Sequence, residues 1–222
     1  MDDELPASVL GTHDYWKNCY QNELNNYNDH GDSGEIWFGK MNNLRIVNWI
    51  DKNIEKDETV LDVGCGNGVL LVELAKRNYI NLFGCDYVDE AIKLCNEIAK
   101  CEKIDSIRFE LSDILNLDNS NNSTALNRQF NVVIDKGTYD AICLTPDSNI
   151  DEIRSKYFHN TSKLLFNNGY FIIMSCNWTA DELKKHFLKD NIFILFDQID
   201  TPSMMFGGKT GNQVTCLVFK KN

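Results

Sequence analysis

VLDVGCGNGVLL, residues 60–71, runs from an apolar stretch through a glycine turn into a segment with helical spacing. A strand that ends in such a turn and opens a helix is the first unit of a doubly wound α/β sheet, which receives its ligand at the carboxyl end of the strand. The turn ordinarily welcomes phosphate, because backbone N–H groups and the helix dipole attract anions. Two details argue otherwise. The dinucleotide pattern G-x-G-x-x-G is met by Gly64 and Gly66, but Val69 stands where the last small residue belongs and the third glycine has moved forward to Gly68. Asp62, just before the turn, would repel a pyrophosphate and attract an ammonium or a sulfonium.

Outward from that turn, short apolar runs alternate with longer amphipathic segments. Strands are expected near Thr59 to Val63, Asn81 to Cys85, Ser106 to Glu110, Phe130 to Asp135, Tyr170 to Ser175, Ile192 to Phe196 and Val214 to Phe219. Helices are expected at Val69 to Arg77, Asp89 to Lys100, Ile150 to Leu165 and Thr179 to Phe187. The reading is a mostly parallel, doubly wound sheet of seven strands with the last antiparallel, since only the loop TPSMMFGGKTGNQ joins the final two. Residues 1–55, dense in aromatics, read as a helical arm packed on the core domain of residues 56–222. Its helices are placed at Asp14 to Asn28 and Asn42 to Asn53, joined by GDSGEIWFG (Gly31 to Gly39), a candidate lid over a ligand or an anchor for the arm. The polar stretch Asp118 to Asn127 reads as a surface insertion without chemistry.

Three aspartates end three successive strands: Asp62, then Asp86 in LFGCDY, then Asp113 in ELSDIL. Asp86 is placed to accept hydrogen bonds from ribose hydroxyls, and Asp113 to meet an adenine amino group. Gly64 and Gly66 let the backbone pass close to a bulky ligand. Jointly these residues specify a nucleoside that carries positive charge in place of phosphate. S-adenosylmethionine is such a molecule.

Composition narrows the remaining classes. The 222 residues carry a formal net charge of −11, with no clustered lysine and arginine stripe to meet nucleic-acid phosphates. An acidic surface suits a basic protein partner. Apolar runs are too short for a membrane helix, and MDDELPASVL lacks the basic flank and apolar stretch of a secretory signal. The expectation is an intracellular, cytoplasmic protein with the nucleus as a second compartment, acting as a monomer. Eight cysteines without a CxxC pair read as reduced thiols, and no metal site is expected.

VLDVGCGNG, GCDY, SDIL and DKGTYDAI (Asp135 to Ile142) resemble the motifs of seven-strand, class I methyltransferases. Together with GDSGEIWFG, SCNWT (Ser175 to Thr179) and FGGKTGNQV (Phe206 to Val214), they resemble the elongation factor 1-alpha lysine methyltransferase 2 family, from about Gly11 to Lys220. The resemblance implies transfer of methyl groups from S-adenosylmethionine, leaving S-adenosyl-L-homocysteine, to a lysine ε-amino group of elongation factor 1-alpha. It implies cofactor contacts at Asp62, Gly64, Cys65, Gly66, Asp86, Tyr87, Asp113, Ile114 and Asp135, with Trp37 closing over them. Substrate contacts would fall on Trp37, Tyr139, Asn177 and Trp178.

Methyl transfer needs a neutral amine, and a free lysine has a pKa of ~10.4, so the site must help a proton leave. Aromatic walls hold a cation while excluding water, which makes Trp37, Tyr139 and Trp178 candidates. Asp135, Lys136 and Tyr139 are the candidate catalytic residues. Neighbours on a strand point opposite ways, so one of Asp135 and Lys136 faces the ligand; Asp135 is expected there, with Lys136 in an ion pair or beside the cofactor carboxylate. Alternatives stay open: methylation of another protein, a nucleobase or a small molecule, a non-catalytic adenosyl-binding module, and a nicotinamide dehydrogenase.

Overall fold

The computed structural model describes residues 5–117, 125–146, 149–206 and 209–222. Seven strands make the main sheet: β1 (Val60–Val63), β2 (Leu82–Asp86), β3 (Ile107–Leu111), β4 (Phe130–Lys136), β5 (Leu165–Ser175), β6 (Phe193–Gln198) and β9 (Thr215–Lys221). Their order is β3-β2-β1-β4-β5-β9-β6. All pairs are parallel except those of β9, which runs antiparallel between β5 and β6. From β1 the chain winds outward through β2 to β3, then returns to the other side of β1 with β4. The reversal opens a crevice at the carboxyl ends of β1 and β4.

Alternation along the strands feeds two cores. Leu61, Val63, Val133 and Phe171 face one side, and Val60, Val132, Ile134 and Ile172 the other. The second side is covered by α2 (Lys40–Asn53), through Ile46, Val47 and Ile50, and by α3 (Val69–Ala75), through Leu70, Leu71 and Leu74. The first is covered by α5 (Thr138–Cys143), α6 (Ile150–Lys163) and α7 (Ala180–Phe187), through Tyr139, Tyr157 and Phe187. The first arm helix, α1 (His13–His30), packs Tyr20 against Val88, Ala91 and Leu94 of and before α4 (Asp89–Cys101). Thr12 caps its start, and Gly31 ends it in the left-handed region. No described helix is long and apolar enough to cross a membrane.

Three elements depart from the sequence reading. α5 is a separate short helix, opened by Gly137 at φ 92°. β5 begins at Leu165, not Tyr170, because Leu165 already pairs with Phe130 before an irregularity lets the ladder resume at Tyr170. The loop expected at TPSMMFGGKTGNQ contains a hairpin, β7 (Ser203–Phe206) paired with β8 (Lys209–Asn212). Residues 207–208 of that stretch, and 118–124 of the polar insertion, lie outside the described residues; 125–127 form a single 3-10 turn. The eight cysteines are free thiols, and Cys65, Cys85, Cys95, Cys143 and Cys216 are buried.

Candidate active site

The glycine turn is set by close approach. Gly64 has φ +64°, and a Cβ there would stand 2.0 Å from Thr138 Oγ1. That hydroxyl donates to the Val63 carbonyl at 2.8 Å and so ties the start of α5 to the end of β1. Only glycine allows both the backbone angle and the contact. Gly66 passes the Tyr20 hydroxyl of α1 nearly as closely, 2.5 Å from its would-be Cβ. The arm is thereby part of the wall.

Around this turn lie two adjoining hollows that share Gly64, Asp86, Tyr87, Thr138 and Ala141, and so form one crevice. Both are open to solvent and continuous through their shared residues, which makes room for a ligand that spans the two. Asp86, at the end of β2, accepts the Gly66 amide at 3.1 Å and the Val88 amide at 3.0 Å. Burial pushes its pKa up to about 6, against the pull of those amides. Asp113 and Ile114 line the second hollow, where Asp113 also caps a 3-10 turn by accepting the Leu115 amide at 2.8 Å. Cys65, Gly66, Trp37, Lys136 and Asn177 line the first hollow, and Tyr87 lines both.

Other candidates sit behind the wall. Asp62 is buried, and burial pushes it up to about 7 while the Lys136 ammonium opposes the shift. It borders neither hollow, so its charge acts through Lys136. Asp135 is 0% exposed. Its carboxylate accepts the Thr138 and Tyr139 amides, each at 2.9 Å, and the Tyr157 hydroxyl. It caps α5 and has no surface on the crevice; the strand alternation turns Lys136 toward the ligand side instead. Lys136 donates to the Trp37 carbonyl at 3.4 Å, and burial lowers its pKa. Tyr139 and Trp178, only 2% and 3% exposed, pack together in the core. Tyr139 shares a hydrogen bond with His186 Nδ1 at 3.0 Å.

The crevice also contains residues that sequence reasoning passed over. Asn67 Nδ2 donates to the carbonyls of Ser33 and Glu35, both at 3.0 Å, latching the segment after α1 to the glycine turn. Asp140, inside the quoted DKGTYDAI, lines the first hollow beside Cys176. Trp16, Tyr20 and Phe38 add aromatic wall. Asn67 lay in plain view in the motif, but only the fold brings the arm's carbonyls to it.

The residues present fit an adenosyl cofactor. Ser112 Oγ in one hollow and Trp37 Nε1 in the other are buried without a hydrogen-bond partner, and a ligand with polar groups at both ends would supply them. Aromatic rings and carboxylates on the wall favour a cationic centre.

A family model described as a methyltransferase domain matches residues 54–214. The chain is 43% identical over 99% of its length to EEF1A lysine methyltransferase 2 of Homo sapiens, covering 90% of that protein. It is 33% identical over 98% of its length to protein-lysine N-methyltransferase EFM4 of Saccharomyces cerevisiae, covering 97% of it. Among solved structures, magnesium protoporphyrin IX methyltransferase from Synechocystis with bound SAM shares the fold at a TM-score of 0.61 and 15% identity, over 91% of this chain and 97% of that one. Identity on the scale of the human and yeast relatives, sustained over nearly the whole length of both chains, shows that this chain belongs to the EEF1A lysine methyltransferase 2 family of S-adenosylmethionine-dependent enzymes.

Proposed function

We propose that the chain methylates a lysine ε-amino group of translation elongation factor 1-alpha, working as a monomer in the cytoplasm and with access to the nucleus. Bound S-adenosylmethionine supplies an electrophilic methyl group on a sulfonium. Asp86 and Ser112 would hold the nucleoside end, Asp113 and Ile114 would border its base, and Gly64 and Gly66 would let the backbone lie against it. Lys136, the cation on the wall, would meet the donor's own carboxylate. Trp37, Trp16 and Phe38 shield the reacting centre from water and turn aromatic faces to positive charge. Desolvation by the same walls lowers the lysine pKa and frees its lone pair, and alignment of the two reactants contributes ~7 kcal/mol or more to lowering the barrier.

The observation that carries this reading is the single crevice at the carboxyl ends of β1, β2 and β4, with an unpartnered polar atom in each of its two hollows and an acidic, aromatic wall on the first. The test is mass spectrometry of recombinant elongation factor 1-alpha after incubation with the protein and isotope-labelled donor. A lysine that gains labelled methyl groups is expected. Donor binding by calorimetry with no labelled lysine would overturn the substrate assignment and leave the cofactor site standing.

A further inference from the structure

Asp135, Asp86 and Asp113 are each held by donors of the chain itself. Asp135 accepts three donors, Asp86 holds two loop amides, and Asp113 caps a turn. Asp140 differs. It sits in the first turn of α5, only 5% exposed, in the part of the crevice away from the second hollow and next to Cys176 and Asn177.

Its carboxylate accepts the Ser175 hydroxyl on one oxygen and the Cys176 amide, at 2.8 Å, on the other. Ser175 Oγ in turn accepts the amides of Asn177 and Trp178 at 3.1 and 3.0 Å. These neutral donors fix the carboxylate's position and leave its charge without a counter-ion. Among the described residues no lysine or arginine forms an ion pair with it. Lys136 shares the wall, but the carboxylates that act most on it are Asp62 and Asp135. Glu35, a further carboxylate on this hollow, is exposed and screened by water. A buried, fixed and unpaired carboxylate beside an aromatic crevice is a site for a cation.

We propose that Asp140 is the seat of the substrate's lysine nitrogen: held in place by Ser175, it accepts a hydrogen bond from the ε-amino group at the open side of the crevice. This rests on the lysine-methylating reading above. The substrate arrives as an ammonium, and one proton leaves to water under desolvation by the walls. The amine keeps two N–H bonds, and anchoring one of them on Asp140 sets the direction of the lone pair. When the bond from nitrogen to methyl forms, the sulfur–methyl bond breaks with its electron pair kept by sulfur, and positive charge arrives on a nitrogen that already touches a fixed anion. Asp140 is thus a catalytic residue, and Ser175 a positioning residue.

The test compares wild type with Asp140→Asn. Expected is a fall of about 100-fold in kcat/KM toward elongation factor 1-alpha, the scale of truncating a buried charged hydrogen bond, with donor affinity by calorimetry unchanged. An Asp140→Asn variant with wild-type kcat/KM would overturn the proposal. A second measurement needs no variant. n-Butylammonium, a lysine side chain without its backbone, is soaked into crystals of the wild-type chain. Its nitrogen is expected within hydrogen-bond reach of an Asp140 oxygen, and a nitrogen seated on Asp86 or Glu35 instead would overturn the seat even if Asp140→Asn fails to fold. If wild type methylates no lysine of elongation factor 1-alpha while butylammonium still occupies Asp140, the substrate assignment falls and the cation seat survives.

Discussion

Asp135 and Asp140 stand in one motif, yet their donors give them different work. Asp135 satisfies two amides at the start of α5 and the Tyr157 hydroxyl, with no path to the crevice. Its replacement therefore belongs to stability. Asp135→Ala leaves three buried donors without an acceptor, and urea denaturation should show a loss of about 3–5 kcal/mol. A variant of native stability that had merely lost methyl transfer would return Asp135 to the reaction itself. Gly64 is the other residue whose replacement the geometry condemns. Gly64→Ala must hold φ near +64° and force its methyl into Thr138 Oγ1. The left-handed angle alone costs about 1–2 kcal/mol, and relieving the clash breaks the link from Thr138 to Val63. Calorimetric titration should find donor binding abolished or weakened at least tenfold, about 1.4 kcal/mol. Unchanged binding would mean that the turn does not meet the cofactor.

At the scale of elements, the arm joins the site through a side chain. Asn67 grips two carbonyls of residues 33–35, and Trp37, whose indole N–H is unpartnered, follows directly on that segment. Each hydrogen bond is worth about 1 kcal/mol, so Asn67→Ala should release the segment at a cost of up to ~2 kcal/mol. Donor affinity is expected to fall about tenfold, with faster proteolysis within residues 31–38 and a Tm lowered by roughly 4–8 °C at most. Normal affinity with intact proteolytic protection would show the latch to be idle. The same elements show how far the sequence could be read. Long amphipathic segments and the runs before each glycine or aspartate gave the parallel sheet, because period and punctuation agree there. α5 escaped because six residues hold too little periodicity, and the β7–β8 hairpin because its Gly- and Thr-rich sequence reads as turn. In the site, Asp86 and Gly64, carried by the strand-end motif, line the crevice as the sequence suggests, whereas Lys136 lines it in the place expected of Asp135. Tyr139 and Trp178 read as aromatic wall, but which face of α5 turns inward is decided by packing on Tyr157 and Phe187, which no local pattern announces.

Across the whole molecule, the acidic character is partly internal. The chain's formal charge of −11 includes Asp62, Asp86 and Asp135, all buried around the crevice. Burial is the first cause that raises each of them, to about 7, about 6 and about 7 respectively. In the unfolded chain an aspartate titrates near ~3.9. Between about pH 4 and 7 the native protein therefore binds more protons than the unfolded chain, and stability must fall as pH rises through that window. Scanning calorimetry of the donor-free protein should give a higher Tm near pH 5 than near pH 7.5. A Tm that climbed over this range would contradict the burial of these carboxylates. Binding of a sulfonium donor reverses the preference, because a positive charge in the crevice that these carboxylates surround favours their ionised forms. Donor affinity should rise from pH 5.5 to 7.5, and binding should release protons. Titrations at pH 6.5 in two buffers with different ionisation enthalpies measure that release directly. Binding heats independent of the buffer would mean that the crevice carboxylates do not sense the donor's charge, and the electrostatic basis for preferring a sulfonium over a phosphate ligand would be lost.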